Sequence, residues 1–136
     1  AAGARRVDLD ELTSTSDVVS LHVPLDRLTR GMWSDAAFAA MKKSSLLVNT
    51  CRGPVVDEAA MIRALKAGEI LGAGMDVTEV EPIDPDSELI TLPNVVITPH
   101  LGARAIESEW NETLNAVENA ERVALGESPL WIVDPV

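Results

Sequence analysis

Three side chains suited to carbonyl chemistry follow separate apolar segments of the sequence: Arg52, Glu81 and His100. A guanidinium binds a carboxylate through two parallel hydrogen bonds and can also polarise a neighbouring carbonyl. An imidazole transfers a proton near neutral pH, and a carboxylate beside it fixes its tautomer and favours its charged form. Together with Asp76, these residues form a set that suits carbonyl chemistry.

Each of these residues, taken singly, also has an ordinary structural interpretation. Arg52 equally fits a solvated arginine in a strand-to-helix turn, and Asp76 fits a helix or turn cap. His100 alone is more simply a histidine at a strand end, and Glu81 alone is a solvated acid in an acidic loop. The joint placement of arginine, glutamate and histidine at strand ends is what favours a catalytic site.

The central predicted element is the apolar run Leu46-Leu47-Val48, which is typical of a strand buried on both faces. The run stops at Asn49, and Arg52 follows directly. Ligands of an open parallel sheet bind outside the carboxyl ends of its strands. The sequence therefore predicts that Arg52 lies where a substrate would bind.

Strand-like and helix-like segments alternate along the whole chain, which predicts an α/β fold with a doubly wound parallel sheet. Right-handed crossovers would place the carboxyl ends of all strands on one edge. The further predicted strands are 17–24, 73–77 and 94–100. Four helices are predicted. The first lies within 7–16, the second runs over 35–43 with Ser34 as its N-cap, and the third lies between its N-cap Asp57 and Gly68. The fourth is a long helix before Gly126, with apolar residues at helical spacing: Ile106, Trp110, Leu114, Val117 and Val123.

Composition excludes some classes of function. The formal net charge of the 136 residues is −11, which argues against binding to nucleic acid. Neither a basic run nor a long apolar run predicts contact with a membrane. The single cysteine, Cys51, fits a reducing compartment, and we expect a cytoplasmic protein. We interpret Cys51 itself as an unreactive thiol and His22, inside a strand, as a structural histidine.

Four motifs resemble those of the D-isomer-specific 2-hydroxyacid dehydrogenases, in that family's order and approximate spacing. They are Leu21-His-Val-Pro-Leu25, Val48-Asn-Thr-Cys-Arg-Gly53, Gly74-Met-Asp-Val77 with Glu81-Pro82, and Thr98-Pro-His-Leu-Gly102. The resemblance implies a Rossmann-like fold and hydride transfer between NAD(H) and C2 of a 2-hydroxy or 2-oxo acid. It also implies a homodimer in the full-length protein.

The resemblance assigns a role to each predicted site residue. Arg52 would bind the carboxylate and carbonyl of the substrate, His100 would donate or accept the proton, and Glu81 would pair with His100. The implied NAD-binding residues are Val23, Pro24, Thr50, Cys51, Arg52, Asp76, His100 and Gly102. No residue is implied as a metal ligand.

The chain lacks the strand, G-x-G-x-x-G turn and helix that hold the pyrophosphate in this family. Gly72-Ala-Gly74 precedes a strand instead of following one. We therefore expect residues 1–102 to form the C-terminal half of an NAD-binding Rossmann-like domain. Residues 103–136 would form a long helix and a tail that return toward a substrate domain absent from this chain.

Two alternatives to the dehydrogenase hypothesis stay open at this point. One is a non-catalytic NAD-sensing or protein-binding module on the same fold, and the other is a fragment inactive on its own. Arginine, glutamate and histidine in place together favour the enzyme, although the 136 residues alone are expected to be inactive. The identity of the acid, and the choice between NAD and NADP, are not determined by this sequence.

Overall fold

The computed structural model describes residues 3–132. Contacts divide the chain into two compact units, Ala1–His100 and Leu101–Val136. Within the described residues, the strands of the first unit are β1 (Val18–Leu21), β2 (Leu46–Asn49), β3 (Gly72–Met75) and β4 (Val95–Ile97). They form one parallel sheet in the order β1-β2-β3-β4, each hydrogen-bonded to the next.

The helices of the first unit are α1 (Leu9–Thr15), α2 (Asp35–Ala40), α3 (Glu58–Ala67) and α4 (Glu88–Thr91), and a 3₁₀ turn spans Gly53–Val55. Asp57 begins α3 by accepting the N–H of Ala60 at 2.9 Å. Gly68 ends α3 with a φ of 66°, a left-handed conformation that favours glycine. Both ends of α3 are therefore as the sequence predicted.

The alternation of parallel strands with helices confirms the predicted α/β, Rossmann-like fold. Some predicted bounds are wrong. The helix predicted over 35–43 ends at Ala40, because Met41 leaves the helical conformation and is buried. The short helix α4 was not predicted in the acidic segment, where Ser87 begins it by accepting the N–H of Leu89.

The hydrophobic core lies on one face of the sheet. Leu47 of β2, Phe38 of α2 and Met61 of α3 are fully buried in one apolar cluster. Trp33 joins the same cluster, and its Nε1 donates a hydrogen bond to the Met41 sulfur at 3.3 Å. The core therefore fixes the helices between successive strands against the strands they connect.

The opposite face of the sheet carries exposed apolar side chains. Leu46 is 38% exposed and Val96 is 68% exposed. The prediction that β2 is buried on both faces is therefore wrong for the described chain. Strands in the order β1-β2-β3-β4 advance in one direction, so right-handed crossovers place the connecting helices on the same face.

The second unit is built on α5 (Ile106–Ala124), which has no buried residue. Its exposed apolar side chains include Ile106, Trp110, Leu114 and Val117, which share one face of the helix. The following tail is tied to the helix, because Asn119 exchanges two hydrogen bonds with the backbone of Leu130, at 2.7 and 2.8 Å.

The predicted tail runs to residue 136, and its last four residues, 133–136, lie outside the described residues. The predicted domain boundary after residue 102 stays a prediction. Across residues 3–132, no helix has the length and apolar character needed to cross a membrane.

Candidate functional site

The buried amide of Asn49 organises the loop that follows β2. Its Nδ2 donates to the carbonyl oxygen of Arg52 at 3.0 Å, and its Oδ1 accepts the backbone N–H of Cys51 at 3.1 Å. The Cys51 thiol donates to the same Oδ1 at 3.1 Å. A fully buried polar side chain needs such partners. Asn49 therefore holds the turn that presents Arg52.

Arg52 lies at the edge of a cavity of about 670 Å³ at the carboxyl ends of β1 and β2. Its guanidinium is exposed and donates to the carbonyl oxygen of Cys51 at 2.7 Å. The cavity brings together five of the predicted cofactor-binding residues with two neighbours: His22, Val23, Pro24, Leu25, Thr50, Cys51 and Arg52. His22, predicted to be structural, has its Nε2 2.8 Å from Ser20 Oγ and also lines this cavity.

The loop after β1 is held by Asp26. Its Oδ1 accepts the backbone N–H groups of Leu28 at 2.7 Å and Thr29 at 3.0 Å, and these bonds hold the pKa of Asp26 below its usual value. Thr29 Oγ1 in turn donates to the carbonyl oxygen of Pro24 at 2.6 Å. This network fixes one wall of the cavity.

Glu81 and His100 are in direct contact. His100 Nδ1 lies 2.7 Å from Glu81 Oε2, and Glu81 Oε1 accepts the backbone N–H of Thr78 at 3.1 Å. The hydrogen bond with His100 is the main reason that the pKa of Glu81 lies below its usual value. Partial burial opposes the shift, while the Thr78 bond and the positive charges of His100 and Arg52 add to it. The carboxylate is therefore ionised and oriented toward the imidazole at neutral pH.

The backbone of His100 adopts a left-handed conformation, with a φ of 54°. Its N–H donates to the carbonyl oxygens of Asp76 at 2.8 Å and Thr98 at 3.0 Å. The carboxylate of Asp76, which is buried, accepts the hydroxyl of Thr98. The end of β4 is thus tied to the end of β3, and this fixes the position of the imidazole.

A second cavity, of about 500 Å³, adjoins the Glu81–His100 pair. Its lining combines polar residues with Pro82, Ile83, Ile97 and Pro99, and the polar members are Asp76, Thr78, Glu81, Thr98 and His100. The predicted residues of the first unit are therefore divided between the two cavities. Gly102, also predicted to bind the cofactor, belongs to the second unit.

Sequence reasoning missed Asn49, Thr78 and Thr98, which orient the predicted residues. Asn49 carried a usable signal, because a polar residue that ends a buried apolar run must be hydrogen-bonded. Thr78 and Thr98 carried none, because their roles depend on the paths of two loops.

The arrangement is suited to proton transfer beside a bound anion. With Nδ1 held by Glu81, the Nε2 of His100 can exchange a proton with a ligand oxygen. Arg52 supplies a guanidinium to the same edge of the sheet. Among residues 3–132, no group of three or more His, Cys, Asp or Glu side chains is placed to hold a metal ion.

Known proteins are similar to this chain in sequence. The family model described as D-isomer specific 2-hydroxyacid dehydrogenase, NAD binding domain, matches residues 1–102. The chain is 50% identical over 116 residues to glyoxylate/hydroxypyruvate reductase B of Klebsiella pneumoniae (strain 342), an alignment that covers 85% of this chain and 36% of the reductase. The chain thus spans little more than a third of the length of that relative.

Solved structures with a similar fold are known. A holo form of D-mandelate dehydrogenase from Rhodotorula graminis superposes with a TM-score of 0.89 at 43% identity, covering 98% of this chain and 39% of that chain. D-lactate dehydrogenase with NAD⁺ from Lactobacillus jensenii superposes with a TM-score of 0.83 at 31% identity, covering 95% of this chain and 43% of that chain. The similarity therefore holds for both sequence and fold.

Proposed function

This chain belongs to the D-isomer specific 2-hydroxyacid dehydrogenases, and we propose that the full-length protein transfers a hydride between NAD(H) and C2 of a D-2-hydroxy or 2-oxo acid. The observation that carries the proposal is the 2.7 Å contact between His100 Nδ1 and Glu81 Oε2. It supplies a proton-transfer group at the edge of the sheet where Arg52 can bind an acid.

His100 would be the general acid in reduction and the general base in oxidation. With Glu81 accepting from Nδ1, the Nε2–H of the imidazolium donates a proton to the carbonyl oxygen of the 2-oxo acid. In the reverse direction, neutral Nε2 accepts the proton of the 2-hydroxyl group. A nicotinamide cofactor, when bound, would provide the hydride for reduction at C2 and would accept it in oxidation.

Arg52 would bind and polarise the substrate. Its planar guanidinium matches the carboxylate of a 2-oxo acid, and the adjacent carbonyl oxygen lies within reach of the same group. The similarity to a reductase named for glyoxylate and hydroxypyruvate favours small 2-oxo acids as substrates.

The nicotinamide end of the cofactor would occupy the cavity of about 670 Å³ at the carboxyl ends of β1 and β2, because this cavity is lined by five of the residues that the resemblance implies for NAD binding. Val23 and Pro24 supply an apolar wall, and Thr50, Cys51 and Arg52 supply backbone and side-chain polar groups. Asp76 and Gly102 stay further candidates for contacts to the cofactor. Gly72 and Gly74 lie within β3, so they do not form the phosphate-binding turn.

The test is steady-state kinetics of the full-length protein with NADH and either glyoxylate or hydroxypyruvate. We expect turnover of at least one of them, and a loss of roughly 10²–10⁴-fold in His100→Ala. Glu69→Ala, an exposed change after the end of α3, is the matched control and is expected to behave as wild type. NADH binding without turnover of any 2-oxo acid would instead support a non-catalytic NAD-sensing module.

The full-length protein is further proposed to be a cytoplasmic homodimer. Cys51 is the single cysteine of these 136 residues and its thiol is hydrogen-bonded to Asn49, which fits a reducing compartment. Light scattering during size-exclusion chromatography would measure the mass of the assembly, and a monomer at micromolar concentration would contradict the dimer.

A further inference from the structure

Glu58, the first residue of α3, forms a hydrogen bond to a distant loop. Its Oε2 accepts the backbone N–H of Glu79 at 3.0 Å, across 21 residues of sequence. The carboxylate is not needed to begin the helix, because the side chain of Asp57 already accepts the N–H of Ala60. Its position in the first turn of α3 favours a negative charge. The Glu58 carboxylate is therefore available to bind the backbone of the loop after β3.

The loop that Glu58 holds is the one that positions Glu81. Thr78 precedes Glu79, and its N–H donates to Glu81 Oε1 at 3.1 Å. The Thr78 hydroxyl donates to the carbonyl oxygen of Val80 at 2.8 Å and closes the turn. Fixing the Glu79 amide therefore fixes the neighbouring amide that orients the Glu81 carboxylate.

A second contact reaches the backbone of Thr78 and Glu79. A β-carbon on Gly53 would lie 1.8 Å from the Thr78 carbonyl oxygen, so the 3₁₀ turn after Arg52 packs against this backbone. Residues 78–79 are thus held between Gly53 and Glu58, which lie on either side of the N-cap of α3. The segment that presents Arg52 and the loop that presents Glu81 are joined here.

We propose that Glu58 is a positioning residue, which acts through the Glu79 amide to hold Glu81 against His100 and at a fixed separation from Arg52. The inference rests on the function proposed above, because it assigns Glu58 a role in that reaction. Glu58 touches neither substrate nor cofactor in this scheme. Its effect on rate comes from the geometry of the Glu81–His100 pair.

The variants Glu58→Ala and Glu58→Gln separate position from charge in the full-length enzyme. Glu58→Ala loses the acceptor, and we expect kcat to fall up to about 10²-fold while the KM for NADH is unchanged. Glu58→Gln keeps an acceptor oxygen without the charge, and we expect it to restore kcat to within a few-fold of wild type. An equal loss in both variants would assign the effect to charge at α3 and overturn the positional role.

A double-mutant cycle tests the route through Glu81. In the Glu81→Gln background, Glu58→Ala is expected to add little further loss, because the pair that it positions is already disrupted. Fully additive losses would mean that Glu58 acts elsewhere. Hydrogen exchange of the Glu79 amide gives a readout independent of activity, and we expect faster exchange in Glu58→Ala than in wild type or in Glu69→Ala.

The two proposals fail in different ways. Full activity of Glu81→Gln and His100→Ala would overturn the proposed function, whereas loss in those variants with full activity of Glu58→Ala would overturn this inference alone. If Glu58→Ala does not fold, Glu58→Asp replaces it, because it keeps the charge at α3 but is one methylene too short to reach the amide. Unchanged kcat in Glu58→Asp would then contradict the positioning role.

Discussion

Gly53 packs directly against the backbone of Thr78: a β-carbon added to Gly53 would lie only 1.8 Å from the carbonyl oxygen of Thr78. Real β-carbons do not approach backbone atoms this closely, so any larger residue must move the turn, the loop or both. This contact joins the segment carrying Arg52 to the loop carrying Glu81.

We expect Gly53→Ala to lower the free energy of unfolding by about 1–3 kcal/mol, the usual scale for forcing extra atoms into a packed region. Urea unfolding measures this change. Gly74→Ala is the control, because the nearest atom to its added β-carbon is Val48 Cγ2 at 4.0 Å. Equal free energies of unfolding for the Gly53 and Gly74 variants would show that the turn at Gly53 can move away from the loop at Thr78 at little cost.

In the full-length protein, Asn49→Ala should lower both the free energy of unfolding and kcat. Removal of the amide leaves the N–H of Cys51 and the carbonyl of Arg52 without their side-chain partner, at a cost of about 1–3 kcal/mol. Unfolding titrations and kcat measured on the same preparations would check both effects. The comparison is Asn94→Ala, which removes an exposed bond to the carbonyl of Leu71 and should cost less.

Glu81→Gln should change how stability depends on pH. The pKa of Glu81 is lower in the folded state, mainly through the hydrogen bond with His100, so its ionised form stabilises the fold. This contribution is fully present above the unfolded pKa of about 4.3 and is lost as pH falls through the lower folded value. Wild type should therefore be the more stable protein at neutral pH, by an amount that solvent screening keeps small.

The measurement for Glu81 is chemical unfolding of wild type and Glu81→Gln over a range of pH. The difference between them should shrink on acidification below the unfolded pKa. A difference that is constant across the range would show that the carboxylate is not stabilised by its partners.

Arg52→Lys should retain positive charge but lose the planar fork that fits a carboxylate. In the full-length enzyme we expect a loss in kcat/KM equivalent to about 2–5 kcal/mol, the usual cost of breaking a hydrogen-bonded charge pair. Arg63→Lys is the matched control, because Arg63 pairs with Asp35 between α2 and α3, away from both cavities. Similar kcat/KM in Arg52→Lys and wild type would refute the role of Arg52.

The fold was largely predictable, because it follows from the spacing of apolar residues and from the alternation of strands and helices along the sequence. Leu46-Leu47-Val48 marked the central strand, and parallel crossovers then required Arg52 and His100 to share an edge. The prediction of burial on both faces of β2 failed because an apolar run does not specify which faces the rest of the chain covers.

The sequence predicted which residues form the site but not all of the hydrogen bonds that position them. The Glu81–His100 pair was expected, whereas the bond from Glu58 to the Glu79 amide depends on a loop path that no periodicity encodes. Nor could the separation of Arg52 and His100 into different cavities be predicted, since it depends on where two turns run above the strand ends.

The left-handed backbone of His100 has a practical consequence for trapping a ternary complex in crystals. An inactive variant is needed whose main chain stays where it is. Alanine and β-branched residues are penalised at a φ of 54°, whereas asparagine tolerates this region well. His100→Asn is therefore the better choice for soaking substrate and cofactor together, because it removes the imidazole and leaves the end of β4 in place.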